Sequence, residues 1–391
     1  MTTSDCRQPP VALASRSGAY GAHRASGRRR LRRTPTALRT YHCSRCHQQV
    51  FHENVLCERC DAMLGFIEDA GEISAFEPWP DGSWRALAPG VGEGRYLQCH
   101  NYAVEHVCNR MIPVDDPATL CRSCRLTAVI PSLLQERNRA RWYQLERAKR
   151  RLLYTLNQLQ LPVVSREEDP ERGLVFEFLA DAEGTPKVHT GHDDGLITIN
   201  IAEADDAHRA RVREQMKEPY RTLLGHFRHE IGHYYFLRLM TDSPLLDDCR
   251  ALFGDDREDY GEAMQRHYAN GAPDDWQTSY ISAYATMHPY EDWAETWAHY
   301  MHMVDTLETA SACGLHLAPP DPTEPSMTAL DVDRVTRSFN DMVARWFPLT
   351  YALNSLNRSM GMPDIYPFTL GPPVIEKLRF VHRVIRTQGE A

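Results

Sequence analysis

Two histidines and a glutamate in the middle of the chain have the types and spacing needed to hold a catalytic metal ion. The segment reads His229-Glu230-Ile231-Gly232-His233, an HExxH pattern. Residues four apart on a helix lie on one face, about 5–6 Å apart at Cβ, so both imidazoles could bind one cation while Glu230 reaches a water molecule beside it. Because so short a pattern also occurs by chance, it predicts a metal site only with a helical context and a third ligand.

A third ligand is available downstream. Glu291 and Glu295 lie one helical turn apart in a segment, residues 289–309, that is predicted to be a helix. One carboxylate could bind the metal while its neighbour accepts the outer N–H of a ligand histidine and orients that ring. The spacing alone allows Glu291 or Glu295 to be the ligand. Trp293 and Trp297 among the acids favour a buried helix over a solvated acidic face.

The first four of eight clustered cysteines predict a structural zinc site. They form two CxxC pairs separated by ten residues: Cys43, Cys46, Cys57 and Cys60. Two such turns facing each other supply four thiolates in a tetrahedron around zinc. The metal then substitutes for a hydrophobic core that so short a segment cannot build. The alternative, two redox dithiols, lacks the βαβ context that usually accompanies them.

A second cysteine grouping is more dispersed but has the same composition. It consists of Cys99, Cys108, Cys121 and Cys124. One CxxC pair and two separated cysteines still predict a four-thiolate zinc site. His100 and His106 are alternative ligands, and Cys99 or Cys108 could instead be a buried apolar residue. Zinc ribbons of this kind are structural or dock a protein, and they supply no reaction by themselves.

Composition sets the class of protein. The chain has 391 residues, of which 42% are hydrophobic and 25% charged, as in globular proteins of two or three domains. No stretch approaches the roughly 18 to 20 apolar residues that span a bilayer, and the amino terminus lacks the apolar segment of a secretory signal. The expected location is the cytoplasm, with no membrane partner, and a reducing compartment also suits metal-binding cysteines.

Charge is distributed unevenly along the chain. Residues 1–40 contain nine arginines and one aspartate, a net charge of +8, so the remaining residues carry −17 of the total of −9. The Arg-rich segment has no periodic apolar pattern and is predicted to be a disordered extension; a nucleic-acid or targeting arm is the alternative. Because the rest of the chain is acidic, nucleic acid is not the expected partner.

The catalytic residues need elements that position them. Apolar periodicity predicts a long helix over residues 131–159, strands over 174–179 and 196–200, and a helix over 219–240 with Pro219 in its first turn. A further helix should start near Pro289. On the helix that carries HExxH, one apolar face should meet the core: Leu223, Leu224, Phe227, Ile231 and Tyr235.

These motifs together resemble a known enzyme family. HExxH followed by a Glu-x-x-x-Glu helix resembles the gluzincin branch of zincin metallopeptidases, and the intervals between Tyr284, Glu291 and Glu295 resemble those of anthrax lethal factor. With the CxxC ribbon, residues 190–200, 224–235 and 288–299 resemble the bacterial zinc-binding metallopeptidases that carry a zinc-ribbon domain. The resemblance covers roughly residues 41–380.

The resemblance implies a role for each matching residue. His229, His233 and Glu291 would bind a catalytic zinc, with Glu295 as the partner of a ligand histidine, and the cysteines would hold two structural zincs. Glu230 would be the general base that activates water, and Tyr284 would stabilise the oxyanion formed from a peptide or protein substrate. The strand at 196–200 would be the edge strand that pairs with extended substrate.

The expected fold is α+β. A zincin-like metallopeptidase domain over residues 127–391, with an active-site helix, a small twisted sheet and a helical carboxy-terminal part, should follow a zinc-ribbon region at 41–126. The expected activity is zinc-dependent hydrolysis of peptide bonds, most simply by an endopeptidase. The alternative is a non-catalytic scaffold that binds a protein or nucleic acid. Against it, an idle site has no need of Glu230, which binds no metal.

Overall fold

The computed structural model describes residues 40–91, 94–182, 184, 186–216, 218–328 and 337–389. The predicted disorder of the Arg-rich extension, residues 1–40, therefore lies outside the described residues except at Thr40. The predicted combination of helices with small sheets is confirmed in the described ranges. No helix within them is long and apolar enough to cross a membrane.

The amino-terminal region is built from short strands. β1 (Tyr41–His42) pairs with β2 (Gln49–Val50). A closed barrel follows, made of β3 (Met63–Ile67), β4 (Glu72–Pro78), β5 (Trp84–Ala86), β6 (Arg95–Gln98) and β7 (Arg110–Pro113). Gly65 lets β3 approach β7, because a Cβ there would lie 2.4 Å from Cγ of Met111. The single-turn helices α1 (His100–Ala103) and α2 (Arg122–Arg125) complete the region.

A long helix joins this region to the rest of the chain. α3 (Glu136–Gln158) confirms the predicted helix, although it begins later than residue 131. Leu145, Leu152 and Leu156 on α3 are buried in the main hydrophobic core. Tyr154 instead packs against the amino-terminal region, where its ring centroid lies 5.6 Å from that of His52. α3 therefore contributes to two cores at once.

The carboxy-terminal region contains one mixed sheet. Its strands are β8 (Thr127–Val129), β9 (Val175–Leu179), β10 (Gly191–Asp193) and β11 (Leu196–Asn200), in the order β10-β11-β9-β8. Both predicted strands are confirmed as β9 and β11. The prediction that residues 196–200 form an edge strand is wrong, because β11 pairs with β10 on one side and with β9 on the other. The edge strand on that side is β10, which is too short to show an alternating pattern.

Helices make up most of the remaining structure. They are α4 (Asp206–Gln215), α5 (Leu223–Leu239), α6 (Leu246–Phe253), α7 (Tyr260–Asn270), α8 (Pro289–Ala312), α9 (Phe339–Ser359) and α10 (Pro372–Gly389). α8 begins at Pro289 as predicted, with the side chain of His288 accepting a hydrogen bond from the Tyr290 N–H. α5 begins at Leu223 and not at Pro219, because Thr222 caps it by accepting a hydrogen bond from Gly225.

Helices α5 and α8 pack closely where the HExxH segment lies. A Cβ on Gly232 would lie 3.1 Å from Cα of Ala294 and 3.2 Å from Cβ of Trp297, so the position has no room for a side chain. The indole N–H of Trp293 also donates to the Gly232 carbonyl at 2.9 Å. These contacts bring one face of α5 against the face of α8 that carries the two glutamates.

The predicted core face of α5 is largely confirmed. Phe227, Ile231 and Tyr235 are fully buried, whereas Leu223 and Leu224 are half-buried at the edge of the core. Tyr234 is buried as well, so the helix is apolar around more of its circumference than one face. Within the HExxH segment, Glu230 and His233 are buried and His229 is partly exposed.

Candidate active site

The structure brings His229, His233 and Glu291 together. Their possible ligand atoms all lie within 4.8 Å of one another. The two Nε2 atoms are 3.2 Å apart. Glu291 places Oε2 2.9 Å from Nε2 of His229 and Oε1 3.5 Å from Nε2 of His233. The helical spacing of the histidines and the close packing of α5 on α8 together produce this convergence.

Glu295 lies on the outer side of the same cluster. Its Oε1 is 2.7 Å from Nδ1 of His229, the ring nitrogen that faces away from His233. Burial opposes ionisation of Glu295, but the hydrogen bond from His229 and the charges of His229 and His299 together outweigh it and lower the pKa of the carboxyl to about 2. A carboxylate in this position keeps the imidazole proton on Nδ1 and leaves Nε2 free to bind a metal. Carboxylates accept from metal-binding histidines in this way in many proteins.

The donor set suits a divalent metal such as zinc. Oε2 of Glu291 is buried and, among the described residues, has no hydrogen bond of acceptable geometry, although Nε2 of His229 is near. Burial lowers the pKa of His229, yet the adjacent Glu291 and Glu295 carboxylates raise it well above its usual value. One carboxylate and two imidazoles therefore face one point, and one Glu and two His are a common zinc ligand set.

Glu230 lies beside this cluster on α5 and is buried. Burial raises the pKa of its carboxyl, while the neighbouring imidazoles of His229 and His233 act in the opposite direction. A carboxylate with a raised pKa is a stronger base than one in water. The side chain is thus in place to exchange a proton with a molecule bound near the two histidines.

The first cysteine group converges as predicted. The thiols of Cys43, Cys46, Cys57 and Cys60 lie within 4.8 Å of one another. Sγ of Cys43 lies 3.7 Å from Sγ of Cys60, and Sγ of Cys46 lies 3.6 Å from Sγ of Cys57, both far longer than the roughly 2.05 Å of a disulfide. Each CxxC turn is followed by a residue with positive φ, His47 after the first pair and Asp61 after the second. The two turns therefore have the same shape, and both direct their thiols inward.

The second cysteine group also converges. Cys99, Cys108, Cys121 and Cys124 are all buried, with their thiols within 4.8 Å of one another. His100 and His106, the alternative ligands, are exposed and lie outside the cluster. Burial lowers the pKa of the Arg150 guanidinium on α3, but the nearby Cys108 thiolate raises it. A fixed positive charge there suits a site of four thiolates.

Both regions of the chain match known families. Residues 138–384 match the family described as "Putative zinc-binding metallo-peptidase", and residues 40–135 match a zinc-ribbon domain. The chain belongs to this metallopeptidase family. Zinc binding is supported by the family and by the two four-cysteine clusters.

Similar proteins occur in mycobacteria. An uncharacterized protein of Mycobacterium bovis is 43% identical over 350 residues, which is 89% of this chain and 95% of the relative. Uncharacterized proteins from two strains of Mycobacterium tuberculosis match with the same identity and coverage. No solved structure matches.

Tyr284, predicted from the intervals to the two glutamates, lies beside the cluster of His229, His233 and Glu291. It occupies a short 3-10 turn, Tyr284–Thr286, and its ring centroid is 5.9 Å from that of His229. Burial raises the pKa of its hydroxyl, and the Glu291 carboxylate raises it further. The phenol therefore stays protonated and can act as a hydrogen-bond donor.

Two other tyrosines that contact this cluster were not predicted. The hydroxyl of Tyr260, the first residue of α7, donates to Oε1 of Glu291 at 2.9 Å. Tyr290 stacks on His233, with ring centroids 4.2 Å apart, and its hydroxyl donates to the His233 carbonyl at 3.3 Å. The position of Tyr290 next to Glu291 could have suggested its contact. Tyr260 belongs to no motif, and only the fold brings it close.

The edge strand β10 approaches the site from the sheet. The His192 ring in β10 is stacked against that of His233, with centroids 6.1 Å apart. Its Nε2 accepts a hydrogen bond from the Gly195 N–H at 3.0 Å, which holds the β10–β11 turn. Among the residues that the structure describes, β10, and not the predicted β11, is therefore the strand with a free edge next to the histidines.

Proposed function

We propose that this protein is a zinc-dependent endopeptidase of the gluzincin type, with an active site similar to that of anthrax lethal factor. The observation that carries the proposal is the convergence of the two HExxH imidazoles and the Glu291 carboxylate on one point, with Glu230 beside it. His229, His233 and Glu291 would hold the zinc ion. The family match supports the class of reaction and a peptide or protein as substrate.

A zinc ion held there would act as a Lewis acid. It would polarise a peptide carbonyl and lower the pKa of bound water, so that water could lose a proton and attack near neutral pH. Glu230 takes the proton of the attacking water and then passes it to the leaving amine. Its raised pKa suits the first transfer, because a carboxyl that holds the proton more tightly than in water is the better base. Glu295 keeps His229 in the tautomer that offers Nε2 to the metal.

Tyr284 stabilises negative charge on the reacting carbonyl oxygen. It is protonated and lies beside His229. One hydrogen-bond donor to an oxyanion typically contributes about 2.7–4 kcal/mol to transition-state stabilisation. The substrate binds in an extended conformation along β10, whose outer edge has no neighbouring strand among the described residues.

The two four-cysteine clusters hold structural zinc in a ribbon region, residues 41–126, which could also dock a protein. The peptidase domain begins at residue 127. This boundary is supported by β8, which starts at Thr127 and pairs with β9 in the carboxy-terminal sheet and not with the barrel. Thiolate sites closed by four protein ligands have no open position for a substrate, so the chemistry belongs to the histidine site.

The proposal is tested with Glu230→Gln, which removes the base and keeps the shape of the side chain. Wild type and variant are compared on a broad peptide library while zinc per chain is measured. We expect three zinc ions in both proteins and cleavage by wild type alone. Glu214→Gln, at an exposed position of α4, is the matched control and should cleave normally. Three zinc ions with no cleavage by wild type would instead support a binding scaffold.

A further inference from the structure

The two oxygens of Glu291 have different partners. The Tyr260 hydroxyl donates to Oε1 at 2.9 Å. Oε2 is buried, lies 2.9 Å from Nε2 of His229, and has no hydrogen bond of acceptable geometry among the described residues. Oε1 lies 3.5 Å from Nε2 of His233, which is longer than the 2.9 Å between Oε2 and Nε2 of His229. One oxygen of the carboxylate is thus engaged by a phenol, and the other remains available.

Tyr260 is held so that it acts as the donor. Asp259, the preceding residue, caps α7 by accepting a hydrogen bond from the Glu262 N–H at 2.8 Å. The ring also lies 5.3 Å from that of His288, the residue that caps α8 just before Glu291. Both ends of the contact are therefore anchored at the start of a helix.

We propose that Tyr260 is a positioning residue that occupies Oε1 of Glu291 and so directs the carboxylate to bind zinc through Oε2 alone. This inference rests on the proposed function, because it requires Glu291 to be a metal ligand. A carboxylate that binds a metal through both oxygens takes two coordination positions. Restricting Glu291 to one leaves room for substrate and water, which a catalytic zinc site needs.

The effect of losing this hydrogen bond can be estimated from comparable sites. Hydrogen bonds that orient a ligating side chain typically change metal affinity about 10- to 100-fold when they are removed. Tyr260→Phe removes the hydroxyl and keeps the ring, so the contact with His288 is preserved. Tyr268→Phe makes the same chemical change on the same helix, at a residue that is 59% exposed, and serves as the control.

The experiment uses the full chain with both cysteine sites loaded with zinc and the histidine site emptied by a chelator too weak to remove thiolate-bound metal. Zinc affinity is then measured by competition with a chromogenic chelator. Tyr260→Phe should bind zinc at least about 10-fold more weakly than wild type, and Tyr268→Phe should match wild type. Cobalt(II) at the same site should absorb visible light more weakly in Tyr260→Phe, because absorption falls as the coordination number rises.

The outcomes separate the two levels of the hypothesis. If Tyr260→Phe matches wild type in zinc affinity and in the cobalt spectrum, the role of Tyr260 is wrong while the proposed function stands. If wild type takes up no metal beyond the two cysteine sites, the proposed function fails, and the role of Tyr260 fails with it. A purely structural role would lower the thermal stability of the metal-free chain and leave the cobalt spectrum unchanged, which would also overturn the proposal.

Discussion

Arg228, the residue immediately before His229, donates a hydrogen bond to Asp305 of α8 at 2.6 Å. Asp305 also accepts two hydrogen bonds from Arg151 of α3, at 3.1 and 3.2 Å. One buried carboxylate therefore ties the helix that carries HExxH to the helix that packs on the ribbon region. Burial opposes the charge on Asp305, but Arg228 and Arg151 together keep its pKa below the usual value.

Removing Asp305 should destabilise the whole chain. Asp305→Ala leaves Arg228 as an uncompensated buried charge, a change that typically costs about 3–5 kcal/mol. The free energy of unfolding is measured by chemical denaturation. Asp248→Ala breaks an ion pair with Arg383 in which both side chains are at least half exposed, and it should cost less than about 1 kcal/mol. Equal losses in the two variants would argue against a special role for Asp305.

The two glutamates on α8 should differ in their effect on metal binding. Glu291→Ala removes a proposed ligand and should abolish tight zinc binding at the histidine site, whereas Glu295→Ala should weaken it about 10- to 100-fold. Zinc per chain after dialysis against a weak chelator distinguishes the two. Glu295→Gln retains an oxygen that can accept from Nδ1 of His229 and should recover part of the affinity. The reverse order of the alanine variants would exchange the assigned roles.

Gly232 should be required for packing although glycine disfavours helices. Alanine is favoured over glycine by about 1 kcal/mol within a helix. At Gly232, however, a Cβ would lie 3.1 Å from Ala294 Cα, and forcing α5 away from α8 should cost about 1–3 kcal/mol. We expect Gly232→Ala to lower both thermal stability and zinc affinity. Gly261→Ala in α7, where a Cβ would lie 3.3 Å from Oδ1 of the capping Asp259 side chain, should cost less than Gly232→Ala.

Stability should depend on pH through Glu308. Burial and then the charge of Asp305 raise its pKa to about 8, against the opposing effects of Tyr154 and Arg151. Because the folded pKa lies above the unfolded value, the folded state retains a proton that the unfolded state has lost. The protonated Glu308 side chain therefore contributes to the free energy of unfolding. This contribution is fully present below about pH 4.5 and is lost as pH rises to about 8.

The variant Glu308→Gln isolates this effect. Glutamine cannot ionise and can still accept the hydrogen bond that Tyr154 donates to Oε1 at 3.1 Å. The free energy of unfolding of Glu308→Gln should therefore rise relative to that of wild type between about pH 5 and 8, by on the order of 1 kcal/mol or more. Denaturation midpoints across this range give the difference directly. A difference that does not change with pH would contradict the raised pKa.

The ligands of the second cysteine site can be tested one at a time. Cys99→Ser should lower the zinc content by one ion per chain, because the remaining three thiolates no longer close the site. His100→Ala, at the neighbouring exposed residue, should leave the zinc content unchanged. If His100→Ala loses a zinc ion, His100 is a ligand of this site. Metal analysis of the purified variants provides the measurement.

The sequence by itself determined the features that depend on local geometry. An α-helix places residues four apart on one face, so the pairing of His229 with His233, and of Glu291 with Glu295, followed from spacing. The same holds for each CxxC turn and for the strands at 174–179 and 196–200. In each case the relevant contact spans only a few residues of chain.

Tertiary structure decided everything that depends on contacts between distant segments. Spacing allowed either glutamate to face both histidines, and the structure places Glu291 near Nε2 of both rings and Glu295 on Nδ1 of His229. The pairing of β10 with β11 moved the free edge of the sheet away from the predicted strand. Tyr260 reaches Glu291 only because α7 folds back over the site. Such contacts arise from side-chain packing across the whole core, and no short pattern in the chain records them.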